Sequence, residues 1–270
     1  MIQFIACDLD GTLLNDQKQI SPSSREYIEQ LRKKKIHFAL ASGRSRDAIQ
    51  GYFGDFPCSM VTDNGARAYT EDGECLFCDE IDPAATVQVI EELDSVDYMH
   101  IFLIGEKHTY ARKKEPGKDL KQAQYYFSPR IITVDSWEDA FAQDTITKLS
   151  INTGWDGRNE EKGWQCITGL GVESHFTPVM SGDGWIELMK AGTTKGNALK
   201  RLCASMGIPM EETMVFGDYL NDLNMLLVTP NSYAMINGHE EVKRQCAYVT
   251  KYNNNEDGVV RAIEERLHLL

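Results

Sequence analysis

Three short apolar runs in this chain each stop abruptly at polar residues. Ile2–Cys7 runs into Asp8-Leu9-Asp10-Gly11-Thr12, His37–Ala41 into Ser42-Gly43-Arg44, and Met214–Phe216 into Gly217-Asp218. An unbroken apolar run of this length reads as a strand buried on both faces, and such strands belong to parallel sheets covered by helices on each side. Between the first two runs, Ser21-Pro22-Ser23-Ser24-Arg25-Glu26 has the marks of a helix start: an early Pro, and Ser23 with Glu26 as a capping box. Ile28 and Leu31 continue at helical spacing. Met60-Val61-Thr62, leading into Asp63-Asn64-Gly65, repeats the strand-to-polar pattern. Strands alternating with helices in this way predict a doubly wound parallel α/β sheet.

The rhythm changes after about residue 80. Between Asp82 and Lys190 the pattern predicts a helix over Pro83–Leu93 and strands over Met99–Ile104, His108–Arg112, Ile131–Val134, Thr147–Asn152 and Trp185–Met189. Charged and Gly-containing stretches such as Lys113-Lys114-Glu115-Pro116-Gly117-Lys118 separate them, which suits an α+β module with a largely antiparallel sheet. The α/β alternation returns near Thr193. Lys195–Met206 reads as a helix with Ala198, Leu199, Leu202, Cys203 and Met206 on one stripe, stopped by Gly207 and Pro209. Strand signals follow at Tyr233–Ile236 and Ala247–Thr250, and Asp257–Leu270 closes the chain as a helix. The expectation is a Rossmann-like α/β core in two segments, 1–80 and 190–270, with a second α+β domain inserted at 81–189.

Composition excludes several classes. Lys+Arg 28 against Asp+Glu 41 gives a net charge of −13, so the surface repels phosphate backbones and no nucleic-acid partner is expected. A local basic pocket remains compatible with a small anion. The apolar start reaches Asp8 too soon for a signal-peptide core, and no apolar run approaches a membrane span. Seven cysteines do not pair up, so reduced thiols in a cytoplasmic protein are the expectation. Cys75-Leu76-Phe77-Cys78 is a single CxxC with no second pair and no nearby His, which argues against a zinc set.

Ligands of open α/β sheets bind beyond the carboxyl ends of the strands, so the polar strand ends should converge on one site. That site would hold Asp8, Asp10, Ser42, Lys195, Asp218, Asn221 and Asp222. Four carboxylates at close quarters repel unless a cation sits among them, and hard oxygen donors suit Mg²⁺. A lysine and a serine beside such a cluster are the parts needed to hold a phosphoryl group. Each piece alone has a plain reading: DxD as an Asx turn, Ser42-Gly43 as a helix-initiating turn, Lys195 as a solvated helix residue, Gly217-Asp218 as a tight turn. Gly192-Thr193-Thr194-Lys195-Gly196 lacks the spacing of a Walker A loop. Their joint occurrence at strand ends and a helix start is what points to chemistry.

The chain here resembles the haloacid dehalogenase superfamily. Asp8-Leu9-Asp10-Gly11-Thr12-Leu13-Leu14, Ser42-Gly43-Arg44, Lys195-Gly196 and Gly217-Asp218-Tyr219-Leu220-Asn221-Asp222 are similar to its four motifs. The long insertion between the second and third resembles the Cof-type branch with a type IIB cap. Asp63-Asn64-Gly65-Ala66, Asn221–Leu226 and Asn255-Glu256-Asp257-Gly258-Val259 agree, while Asn237-Gly238 stands where the resemblance leads one to expect Asn-Ala. The resemblance implies a phosphomonoester hydrolase acting on small phosphorylated metabolites, sugar phosphates favoured, through an aspartyl-phosphate. Asp8 would be the nucleophile and Asp10 the general acid and base. Mg²⁺ would be held by the Asp8 carboxylate, the Asp10 carbonyl and Asp218. Ser42, the Leu9 and Gly43 amides, Lys195 and Asn221 would contact the phosphoryl oxygens. Thr12 and Arg44 would support the site, Arg44 close to the phosphate, and Asp222 would orient Lys195 or a water on the metal. Residues 81–189 would cap the core and select the substrate.

Two other readings stay open at this stage: a phosphomutase of the phosphomannomutase type, with a similar motif set, and a phosphate-ligand binding protein without turnover. Intact Asp8 and Asp10 argue against the second. Gly169-Leu170-Gly171 lacks the full dinucleotide fingerprint, and the six histidines show no metal spacing. Arg32-Lys33-Lys34-Lys35 is expected to end a helix, where cations complement the dipole. Trp137, Trp155, Trp164 and Trp185 are expected in the core of the inserted domain.

Overall fold

A computed structural model describes residues 1–54, 56–113, 131–182 and 184–267. Its strands in chain order are β1 (Phe4–Cys7), β2 (His37–Ala41), β3 (Ser59–Thr62), β4 (Arg67–Tyr69), β5 (Cys75–Cys78), β6 (His100–Gly105), β7 (Thr109–Arg112), β8 (Ile131–Val134), β9 (Ile146–Asn152), β10 (Phe176–Gly182), β11 (Trp185–Lys190), β12 (Thr213–Gly217), β13 (Asn231–Ala234) and β14 (Tyr248–Val249). The chain divides into two compact units, Met1–Phe77 with Thr194–Leu270, and Cys78–Thr193.

The first unit is built on an eight-stranded sheet of order β14-β13-β12-β1-β2-β3-β4-β5. The strands from β14 to β3 run parallel and β4 returns antiparallel to β3. Successive side chains of a strand point to opposite faces, and both faces here are covered. Ile5, Cys7, Phe38, Leu40, Met214 and Phe216 pack with Ile28, Leu31, Ile49, Phe53 and Ile263 on one side. Phe4, Ala6, Ala39, Ala41 and Val215 pack with Ala198, Leu199, Leu202, Met225 and Val242 on the other. The unbroken apolar run of β1 is thus the signature of a central strand with helices on both faces.

Helix ends follow local chemistry, with corrections to the sequence reading. The helix Pro22–Lys33 is capped by Ser21, whose hydroxyl accepts from the Ser24 amide at 3.0 Å. The Ser23–Glu26 capping box does not form, because Pro22 supplies the first helical residue and shifts the cap one position earlier. Ser23 instead donates to Asp257 at 2.7 Å. The basic run ends this helix with Arg32 and Lys33 in its last turn. The C-terminal helix spans Gly258–Leu267, since Asp257 is left-handed at φ 58°, and residues 268–270 lie outside the described ones. The strand expected over Tyr233–Ile236 begins two residues earlier, and that over Ala247–Thr250 shortens to Tyr248–Val249.

The second unit carries a six-stranded sheet, β10-β11-β9-β6-β7-β8, antiparallel except for the β7–β8 pair. One face is covered by the helices Pro83–Leu93, Trp137–Gln143 and Glu160–Gly169 through Ile90, Leu93, Trp137 and Ile167. The last two helices and β10 went unread in the sequence. Trp185 and Trp155 pack with Phe102 on the opposite face, and Trp164 lies against the helix-covered core. Gly171, left-handed at φ 68°, turns the chain after the Glu160–Gly169 helix, so Gly169-Leu170-Gly171 is a helix stop. Of Lys113–Lys118, only Lys113 lies within the described residues. Cys75 and Cys78 sit three apart on β5, a spacing that sends their side chains to opposite faces.

Candidate active site

The register of the first sheet builds the site. Cys7 pairs with Phe216 on one side and with Leu40 on the other, so Asp8, Asp218 and Ser42 emerge from three adjacent strands at the same edge. Asp8 remains tied to the sheet by its amide, which donates to Phe216 O at 3.0 Å. Leu9 turns back into the core, fully buried, and its carbonyl accepts from the amides of Thr12, Leu13 and Leu14. This turn needs Gly11: its φ is +78°, and a Cβ there would collide with the Asp218 carboxylate.

Lys195 opens the Lys195–Ser205 helix and is 1% exposed. Its Nζ donates to Asp8 Oδ1 at 2.6 Å and to Asp222 Oδ1 at 2.7 Å. The other oxygen of Asp222 accepts from the amides of Asp218 and Tyr219 at 3.0 and 3.1 Å, so this carboxylate anchors the loop and aims the lysine together. Thr12 donates to Asp218 Oδ1 at 2.8 Å. Asn221, in the turn Leu220–Asp222, donates to Asn64 Oδ1 at 3.2 Å. Ser42 is buried; its hydroxyl accepts from the Arg44 amide at 3.1 Å, and its carbonyl accepts from the Asn64 amide at 3.0 Å. A Cβ on Gly43 would lie 3.1 Å from Asn64 Nδ2. Asn64 therefore links the Ser42-Gly43 and Asn221 loops from a left-handed backbone at φ 54°.

Carboxylate oxygens of Asp8, Asp218 and Asp222 lie within 4.8 Å of one another. When all three are ionised, three carboxylates with one ammonium leave a charge of −2, and the donors are all hard oxygens, a set that fits a divalent cation of the Mg²⁺ kind. Both Asp222 oxygens are already engaged, so Asp8 and Asp218 are the better-placed ligands. Burial, reinforced by the charge of Asp222, pushes the Asp8 carboxyl well above its ordinary range. Burial and then Asp222 also push Asp218 up to about 7. Burial alone would lower Lys195, but Asp222 and Asp8 outweigh it and hold the ammonium charged. The neighbouring Cys7 thiol is raised by burial and then by Asp8, which leaves it inert as a nucleophile.

The Asp10 carboxylate is not part of this cluster. Arg44 donates to it through Nε at 2.6 Å and Nη2 at 2.9 Å, and Lys18 through Nζ at 2.7 Å. Burial would raise Asp10, but the bonds and charge of Arg44, then of Lys18, outweigh it and bring its pKa to about 2. In this arrangement Asp10 is an anion able to accept a proton; donating one requires the pairing to loosen. Lys18 and Asn64 went unassigned in the sequence. Lys18 sits in a loop with no periodicity, and Asn64 drew notice only as part of Asp63-Asn64-Gly65. At the Asn237-Gly238 departure, a Cβ on Gly238 would lie 2.8 Å from Asp218 O, so glycine suits the position.

A family model described as haloacid dehalogenase-like hydrolase matches residues 5–263. Phosphatase YwpJ of Bacillus subtilis is 28% identical, with 100% of both chains covered. The Escherichia coli protein named 5-amino-6-(5-phospho-D-ribitylamino)uracil phosphatase YbjI is 29% identical over 98% of this chain and 96% of its own length. The crystal structure of SMU.1108c from Streptococcus mutans superposes with a TM-score of 0.88 at 26% identity, covering 99% of this chain and 100% of that one. No helix among the described residues is long and apolar enough to cross a membrane. By sequence along almost its whole length and by fold, this chain belongs to the haloacid dehalogenase-like hydrolases of the Cof type.

Proposed function

We propose that the chain is a Mg²⁺-dependent phosphatase that hydrolyses small phosphorylated metabolites, sugar phosphates favoured, through a phosphoryl group carried on Asp8. The observation that carries this reading is the buried Lys195 bridging Asp8 and Asp222 beside Asp218. The names of the two phosphatase relatives support it. Asp8 attacks phosphorus with one carboxylate oxygen while the bond to the leaving oxygen breaks, and Asp10, protonated once its pairing with Arg44 and Lys18 loosens, gives that oxygen its proton. Asp10 then takes a proton from water, whose oxygen attacks phosphorus and releases phosphate from Asp8. Lys195, the Leu9 and Gly43 amides, Ser42 and Asn221 hold the phosphoryl oxygens, and Asp222 positions Lys195. Mg²⁺ bound by Asp8, Asp218 and the Asp10 carbonyl would supply charge neutralisation for the carboxylates and the phosphoryl oxygens. Thr12 steadies Asp218, and we assign substrate selection to the inserted unit.

The test is phosphate release from a panel of small phosphomonoesters, with Mg²⁺ or chelator, for the wild type, Asp8→Asn and Asp218→Ala. Magnesium-dependent release lost in Asp8→Asn, and a raised Mg²⁺ requirement in Asp218→Ala, are expected. Isomerisation of hexose phosphates without release would make it a mutase. A folded protein that turns over nothing would sink the reading.

A further inference from the structure

Two cations, Arg44 and Lys18, converge on the single carboxylate of Asp10. Arg44 already satisfies both oxygens with a bidentate pair, the geometry in which a guanidinium holds a carboxylate best. Lys18 is therefore redundant for holding Asp10. Its placement is nevertheless specified. Lys18 has φ +58°, an uncommon backbone for a side-chain-bearing residue and one that persists only where the surroundings impose it. The turn is closed by Lys18 N to Asn15 O at 2.8 Å and Gln19 N to Asn15 Oδ1 at 2.9 Å. Asn254 pins the same loop through Leu14 O and Asp16 Oδ1 at 3.0 and 3.1 Å, and Asn255 holds Asp16 Oδ2 at 3.0 Å. Arg44 in turn lies over the Tyr52 ring, 5.2 Å from its centroid. The side chains of Lys18 and Arg44 are 45% and 22% exposed, open to a solute.

We propose that Lys18 and Arg44 form a subsite for a second anionic group, a carboxylate or a phosphate, on the leaving group of the substrate. The inference rests on the proposed role of Asp10, because a residue that protonates the leaving oxygen places its two cationic neighbours beside the leaving group. The preferred substrates are then phosphomonoesters whose alcohol carries its own negative charge, and Lys18, the second cation on a carboxylate Arg44 already holds, is what recognises it.

The test uses the full chain with Mg²⁺ and two matched pairs: 2-phosphoglycolate against 2-hydroxyethyl phosphate, and 1,3-propanediol bisphosphate against its monophosphate. The expected wild-type result is a kcat/KM about tenfold or more higher for the charged member of a pair, carried by KM and weakened by added salt. Which pair shows it separates the carboxylate from the phosphate. Lys18→Met should shrink that ratio several-fold, and Lys18→Arg should restore it. Equal wild-type rates for charged and uncharged members overturn the subsite. So does a Lys18→Met variant that slows both members by the same factor, which would leave Lys18 a mere prop for Asp10. No release from any member would instead overturn the phosphatase reading, and the subsite with it.

Discussion

Among the described residues, two lysines are almost fully buried, Lys195 in the first unit and Lys148 in the second, and each is held by carboxylate in a different way. Lys148 on β9 pairs with Glu187 on the neighbouring β11, and the hydroxyls of Ser150 and Ser181 donate to the same carboxylate at 3.2 and 2.7 Å. Both residues sit mid-strand, where the sheet register alone brings them together. Lys195 instead stands at a helix start among three carboxylates from strand ends and loops. The Lys148 site joins one ammonium to one carboxylate that two hydroxyls also serve; the Lys195 site sets three carboxylates around one ammonium. A buried ion pair by itself is weak evidence of anything beyond the fold. Carboxylates crowded in a buried site hold protons until a cation arrives to replace them.

The contrast can be broken by experiment, beginning with the largest effect. Asp8→Asn should lower turnover by about 10⁴-fold or more while the melting temperature holds, because a carboxamide cannot replace the attacking carboxylate. Activity near wild type would make the Lys195 cluster as structural as the other. Lys148→Met should cost about 3–5 kcal/mol in denaturant unfolding by removing the ammonium paired with the buried Glu187, and the double variant Lys148→Met/Glu187→Met should recover most of it. A double variant as unstable as the single would say that this pair too has a task beyond packing.

Mg²⁺ sharpens the comparison through pH. In chelator, Asp218 titrates near 7 in the folded chain against 3.8 for an ordinary aspartate, so the fold binds its proton more tightly than the unfolded chain does. That contribution is complete below about pH 4 and is lost as pH rises through about 7. The gain in melting temperature on adding Mg²⁺ should therefore grow from pH 5 to pH 8, as cation binding replaces the proton. A gain independent of pH would remove Asp218 from the cation site. The smallest effects come from a matched pair of hydroxyls. Thr12→Val should weaken Mg²⁺ affinity by about tenfold, as loss of a partner behind a ligand does. Ser181→Ala should cost about 1 kcal/mol of stability and leave Mg²⁺ affinity alone. Equal effects of the two on Mg²⁺ would erase the distinction.

Much of the first unit could be read from the linear chain, for a physical reason. A central parallel strand must be apolar along its whole length, so β1, β2 and β12 announced themselves as runs, and the polar residues that end them had to lie at one edge of the sheet. Asp8, Asp10, Ser42, Lys195, Asp218, Asn221 and Asp222 were named on that ground; Asp8, Lys195, Asp218 and Asp222 meet in one cluster, while the Asp10 carboxylate turns to Arg44 and Lys18. The second unit was harder to read. Its helices Trp137–Gln143 and Glu160–Gly169 are short and weakly patterned, and β10 lies at a half-buried sheet edge. Local caps were decided by single positions, as Pro22 moved the first helix start away from Ser23.

Partnerships across distance belonged to the tertiary structure. Lys148 and Glu187 are 39 residues apart, and only the β9–β11 register makes them neighbours. Arg44 and Asp10 are 34 apart, and Lys18 reaches Asp10 only because a left-handed turn held by Asn254 and Asn255, more than 230 residues away, aims its loop. Apolar periodicity and strand-end chemistry are properties of a few consecutive residues, so the chain carries them openly. The state of a carboxylate depends on how deeply the fold buries it and on which charges it sets beside it. Asp8, Asp10 and Asp218 look alike in the chain, and only their packed surroundings drive two of them up and one of them down.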